Sequence, residues 1–224
     1  MTSELGPTKR TKISRGKSHA QSDRAILAQV LGEGLIAHVG YQAGSHPVVL
    51  PMAYAFDLNG PDIDGTLYLH GSVAAMMLRH PQERQLCATI TLLDGLVAAR
   101  SGFEHSMNYR TAVIIGSARL VTSESERLLA LDLIVDQMIP GRATTLRPAT
   151  RKELSATAVI ALPLHEASVK ISADGPEEDE PSDIAAGTWG GHIPLRFRAD
   201  AVVTDTANDA EVPSHIVERV THLS

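Results

Sequence analysis

The chain has 224 residues and a mass of 23.9 kDa, enough to bury one sizeable core and at most two. Its 20 Lys and Arg against 26 Asp and Glu leave a formal net charge of −6, which excludes a general basic field and, with it, nucleic acid as the main partner. The single cysteine, Cys87 in Leu86-Cys87-Ala88-Thr89-Ile90, excludes an intramolecular disulfide and reads as a small buried hydrophobe in a reducing compartment.

The chain opens on a basic arm with Lys9, Arg10, Lys12, Arg15 and Lys17, and no apolar stretch follows to make a secretory signal. No run approaches the ~18 apolar residues of a spanning helix. The longest candidate, Leu86 to Ala99, is interrupted by Asp94-Gly95. The expectation is a soluble, cytoplasmic protein without a membrane partner. Residues 1–19 read as the basic arm, 20–174 as the domain, and 175–224 as an acidic, partly disordered tail around Glu177-Glu178-Asp179-Glu180, with both ends mobile.

Within 20–174, Ser22-Asp23 offers an N-cap, and Ile26, Leu27, Val30 and Leu31 form an apolar stripe that Gly32 and Gly34 end, predicting a short helix. Strands are expected at Leu35–Tyr41, Pro47–Phe56, Thr66–Leu69, Leu86–Leu93, Leu96–Arg100 and Tyr109–Val121. Asp94-Gly95 between two apolar runs is the strongest hairpin signal, because a type I′ turn requires positive φ at both central positions. Ser123 with Glu126 and Thr150 with Glu153 each spell a capping box, predicting a second helix that runs to Pro140-Gly141 and a shorter third. Strands at Ala158–Leu162 and Ser168–Ile171 close the domain. The pattern favours a mainly β fold, an antiparallel barrel or half-barrel with peripheral helices.

Motifs for a nucleophile elbow, a P-loop, a dinucleotide fingerprint, a zinc protease and paired cysteines are all missing from the sequence. The ten histidines are scattered, with no two at the i, i+4 spacing of a helical ligand pair, so no metal is expected. One segment has chemical shape: Leu67-Tyr68-Leu69-His70-Gly71-Ser72-Val73-Ala74-Ala75-Met76, a β-run turning at Gly-Ser into a helix. Such a corner aims unpaired N–H groups at an anion, with Gly71 allowing close approach and Ser72 donating its hydroxyl. The same residues also spell an ordinary corner with Ser72 as N-cap.

Taken together with Arg15-Gly16-Lys17, His46-Pro47-Val48-Val49-Leu50-Pro51-Met52-Ala53-Tyr54, Thr89 to Val97, His105-Ser106-Met107-Asn108-Tyr109-Arg110 and Ala167 to Ile171, this segment resembles the FMN-binding split-barrel proteins of the pyridoxamine 5′-phosphate oxidase superfamily. The resemblance spans roughly residues 15–195 and is greatest to the nitroimidazole-resistance branch.

The resemblance implies a mainly β, antiparallel, Greek-key-like split β-barrel and a flavoprotein, an FMN-dependent oxidoreductase, built as a homodimer with FMN between subunits. Val49, Leu50, Pro51, Met52, Ala53 and Tyr54 would lie along the isoalloxazine ring. His70, Gly71, Ser72, Ala75 and Met76 would cradle the phosphate. Ser106, Asn108, Tyr109 and Arg110 would come from the neighbouring subunit's side. Relatives carry a basic pair where this chain has Ala75-Met76, and Arg79 is the candidate substitute, reaching back along the helix. His70, with an unperturbed pKa of about 6.5, is the candidate proton-transfer group. A small-molecule substrate or electron donor, NAD(P)H among them, is implied as partner. The alternatives are a flavin-binding or sensing module without turnover, and the same barrel holding haem or a deazaflavin, with His70 or His105 as first axial ligands. Trp189, the only tryptophan, reads first as a lone aromatic docked on an apolar groove, the alternative being a tail folded back over the barrel or the flavin cleft.

Overall fold

The computed structural model describes residues 4–6, 8–78, 84–176, 180–207 and 210–224. The chain forms two compact units, each assembled from three segments: 1–34, 89–114 and 166–196 in the first, and 35–88, 115–165 and 197–224 in the second.

The elements in chain order are β1 (Ala20–Gln21), α1 (Arg24–Glu33), β2 (Ala37–Ala43), β3 (His46–Met52), β4 (Tyr54–Asp57), β5 (Thr66–Ser72), β6 (Gln85–Ala98), β7 (Ser106–Ser117), β8 (Arg119–Leu120), α2 (Glu124–Met138), α3 (Arg151–Ala156), β9 (Thr157–Pro163), β10 (Ala167–Ser172), α4 (Pro181–Ala185), β11 (Gly191–Pro194) and α5 (Ser214–His222). The hydrogen-bonding order is β1-β10-β7-β6-β2-β3, with β11 also on β6, and separately β4-β5-β9-β8. Every pairing with a defined register is antiparallel, and neither sheet closes, as a split barrel requires.

In the first unit, Asp23 caps α1 by accepting from the Ala25 N–H at 2.8 Å. The helix buries Leu27, Val30 and Leu31 and packs against β10. The basic arm is docked rather than loose: Leu5 is buried, its N–H donates to the Ser22 carbonyl at 2.6 Å, and Thr11 is buried as well. The tail, expected to be acidic and partly disordered, adds β11 to β6 in the register Gly191↔Ala98 to Pro194↔Gly95.

In the second unit, α2 lies on the four-stranded sheet. Its Ala130 and Ile134 join Ala55, Tyr68, Val121, Val159 and Ala161 in one core cluster. Each large apolar side chain fully buried there contributes ~1.5–3 kcal/mol. The Thr150–Glu153 capping box forms in full. At α2 only the Ser123 half forms, because the Glu126 carboxylate is held by Arg119 and Tyr68.

Three expectations are corrected. The hairpin at Asp94-Gly95 does not exist: β6 runs straight through. A Cβ on Gly95 would lie 3.0 Å from the Ile193 carbonyl oxygen, so the glycine admits the close approach of β11 instead of a turn. The run Pro47–Phe56 breaks at Ala53 into β3 and β4, which belong to different sheets. Cys87 is half-buried, not fully buried.

Candidate functional site

The residues expected to hold a cofactor fall into two groups. Val49 to Tyr54 and His70 to Met76 belong to the second unit, and Ser106 to Arg110 to the first.

In the second unit, β2 and β3 form a hairpin with Gly44-Ser45 at its tip. Gly44 takes φ +62°, the first central position of a type II′ turn. A two-residue turn makes Ala43↔His46 a hydrogen-bonded pair, so the pairs alternate from there. His46, Val48, Leu50 and Met52 then bond β2, while Pro47, Val49 and Pro51 face outward from the sheet edge. The two prolines have no N–H to offer. Between residues 46 and 52, Val49 therefore carries the edge's one outward N–H, flanked by outward carbonyls. Its side chain is 61% exposed, and Leu50 is exposed beside it. Met52 and Ala53 are half-buried, whereas Tyr54 is fully buried in the core, where desolvation pushes its phenol well above the ordinary tyrosine range.

The expected Gly-Ser corner is displaced. His70, Gly71 and Ser72 are still strand, paired with Val159, Ala158 and Thr157. The turn comes at Val73-Ala74, and a single 3-10 turn follows at Met76–Leu78. The amide donors that would cradle a phosphate are used internally: Val73 N–H to the Ala156 carbonyl (3.1 Å), Ala74 N–H to Ser72 Oγ (3.2 Å) and Ala75 N–H to the Ser72 carbonyl (2.9 Å). Gly71 has a packing reason, since a Cβ there would stand 2.8 Å from Leu78 Cδ1. The amides of residues 73–75 are thus committed within the chain. Arg79 lies outside the described residues.

His70 is the chemically distinctive side chain. Its Nδ1 is buried without a hydrogen-bond partner, and desolvation lowers its pKa below the ordinary 6.5, keeping the ring neutral. A neutral imidazole with an unpartnered ring nitrogen has the chemistry of a metal or haem-iron ligand. The strand carrying it is anchored by a charge cluster that sequence reading missed. Arg119 donates to both oxygens of Asp62 (2.8 and 2.9 Å) and to Glu126 (3.1 Å), and the Tyr68 hydroxyl donates to Glu126 at 3.1 Å. Tyr68 stands two residues before His70, on the same face of β5. No short-range motif marks that cluster, because its members are up to 64 residues apart (126 − 62).

In the first unit, Ser106 is exposed at the start of β7, and Tyr109 is half-buried. Asn108 is 5% exposed; its amide donates to the Asp174 carbonyl at 2.8 Å, and its Oδ1 is buried without a partner. Arg110 is consumed by two carboxylates, Asp94 (2.9 and 2.9 Å) and Glu33 (2.5 Å), which raise its pKa further. It is thus a structural clamp, unlike the open cation a phosphate needs. Ser106 and Asn108 help line a polar cleft of about 150 Å³ with His19 and Glu104. His105 is exposed, with Nδ1 2.8 Å from the Ser101 carbonyl. Trp189 is 68% exposed and lies across Gly191, where a Cβ would meet its ring at 2.8 Å.

Two open, antiparallel sheets with helices at their periphery define the split-barrel class. Residues 23–171 match the family model described as pyridoxamine 5′-phosphate oxidase, and the chain belongs to that family. Among solved structures it is similar to the flavocytochrome Anf3 of Azotobacter vinelandii, with 33% identity, a TM-score of 0.86, and coverage of 96% of this chain and 98% of that one. The FAD and heme binding protein of Mycobacterium smegmatis is similar at 32% identity and TM-score 0.81, covering 90% and 97%. A Bacteroides thetaiotaomicron protein described as a 5-nitroimidazole antibiotic resistance protein shares the fold at 20% identity and TM-score 0.54, covering 68% and 86%. No curated protein sequence matches the chain.

Proposed function

We propose that this protein is a redox protein that binds a flavin and a haem, and that it acts as an oxidoreductase. The observation that carries this reading is the full-length likeness to a flavocytochrome, repeated with a protein that binds FAD and heme. The chemistry of His70 supports it independently: a half-buried, neutral imidazole whose buried Nδ1 has no partner among the described residues is suited to an iron. A bound flavin would supply hydride and electron chemistry, and a haem one-electron chemistry. His70 would hold the haem iron, with His105 as the alternative ligand.

On this reading the flavin is FAD, in place of the FMN that the family resemblance implies, because a neighbour alike over nine-tenths of the chain is described as binding FAD and heme. Val49 offers its outward N–H and apolar face to a flat ring, and Pro47 and Pro51 keep that edge from pairing with another strand. A homodimer and a small-molecule electron donor belong to the same proposal. The test is an absorption spectrum of protein reconstituted with haem and FAD and then desalted, with released cofactors identified by mass. Retained Soret and flavin bands, with the Soret band lost in His70→Ala or His105→Ala while the flavin stays, are expected. Protein that retains neither cofactor sinks the proposal.

A further inference from the structure

Resting on the redox reading, we propose that a groove in the first unit, beside the basic arm, takes the phosphorylated adenosine end of NADPH. The groove has a volume of about 260 Å³ and is lined by Leu5, Thr11, Lys12, Ile13, Ala20 and Ser168, among others. Its walls are fixed before any ligand arrives. Leu5 is pinned by its bond to Ser22, Thr11 Oγ1 accepts the Thr8 N–H at 2.9 Å, Thr8 Oγ1 donates to Glu166 at 2.6 Å, and Ala20 is paired with Lys170. A pre-formed apolar floor with a polar rim suits a flat heterocycle.

Charge decides what that heterocycle carries. Lys9, Lys12, Arg15 and Lys17 are all exposed on this arm, and none makes an ion pair among the described residues. The nearby acids are engaged: Glu166 holds Arg10 and Thr8, and Asp23 caps α1. On a chain of net charge −6, this arm is a local cationic field, with Lys12 in the groove wall itself. Ligand pockets usually run to about 300–1,000 Å³, so this groove is sized for one end of a dinucleotide. The cations favour the end bearing an extra phosphate, which separates NADPH from NADH.

The test uses a probe that cannot donate electrons, adenosine 2′,5′-bisphosphate, titrated calorimetrically into the full-length protein against adenosine 5′-monophosphate. The bisphosphate is expected to bind at least about tenfold tighter, with an advantage that shrinks as salt rises. Lys12→Glu, an exposed change, is expected to weaken the bisphosphate about tenfold, since an attraction becomes a repulsion. Ser168→Trp should block both nucleotides while the circular dichroism spectrum stays native. Equal binding of the two nucleotides, or no effect of Lys12→Glu, overturns the assignment, as does binding that an acidic protein but no nucleotide shows. If the bisphosphate binds as expected while the protein retains neither flavin nor haem, the redox reading fails and the groove assignment stands; a retained flavin that NADPH leaves oxidised overturns NADPH as the groove's ligand.

Discussion

Replacing Arg119 with methionine removes the centre of the charge cluster under β5 and leaves Asp62 and Glu126 facing each other without a cation. Their side chains are only 11% and 18% exposed, against 37% for Arg119. Breaking a fully buried pair costs about 3–5 kcal/mol because the surviving charge has no compensation. Solvent reaching the guanidinium screens part of that, bringing the expected loss to ~2–3 kcal/mol. At ~2–4 °C per kcal/mol for a chain of this size, the melting temperature should fall by ~5–10 °C. Arg119→Lys keeps the charge but cannot form the two-pronged contact to Asp62, and should fall between. Urea and thermal melts followed by circular dichroism measure both variants. A loss under ~1 kcal/mol for Arg119→Met would mean that the cluster behaves as an ordinary surface ion pair, and the anchoring role assigned to it would be wrong.

Burial lowers the pKa of His70, so its stabilising contribution is present above the unfolded value of 6.5 and is lost as pH falls through the lower folded value. Apoprotein of His70→Gln should therefore lose less stability than wild type between neutral and mildly acidic pH, as thermal melts across that range will show; parallel curves would contradict this. Tyr68 runs in the opposite direction. Burial first, and then the Glu126 carboxylate, push its phenol up to about 12, so its contribution is complete below ~10 and is lost as pH rises through the folded value. Absorbance titration should show a phenolic step near 12 that vanishes in Tyr68→Phe. Pro47→Thr with Pro51→Thr restores two outward N–H groups to the exposed edge of β3 and should promote edge-to-edge association, read by light scattering; unchanged scattering would count against the pairing order deduced for that edge.

The parts of this fold that were legible in the sequence are those whose causes lie within a few residues. Asp23 and Thr150 cap helices where their spacing predicts, because a cap is a contact across two or three positions. Asp94-Gly95 and the corner at Gly71 depart from the expectation for the opposite reason. In each, the glycine makes room for a group brought in by tertiary packing: the β11 backbone, about a hundred residues later in the chain, and the buried end of Leu78. A glycine that admits a neighbour and one that permits a turn or welcomes a phosphate are the same letter. Arg110 carries a similar ambiguity, since only the fold brings it to Asp94 and Glu33 and so removes it from the pool of open cations. The edge of β3 was more readable than it was read. Two prolines four residues apart in a β-run, Pro47 and Pro51, can be reconciled with a sheet only if both face outward, which fixes Val49 as the donor between them. Candidate ligand contacts in this family's fold are therefore better sought among atoms with no internal partner, such as His70 Nδ1 and the outward N–H of Val49, than among residues whose type alone suits the ligand.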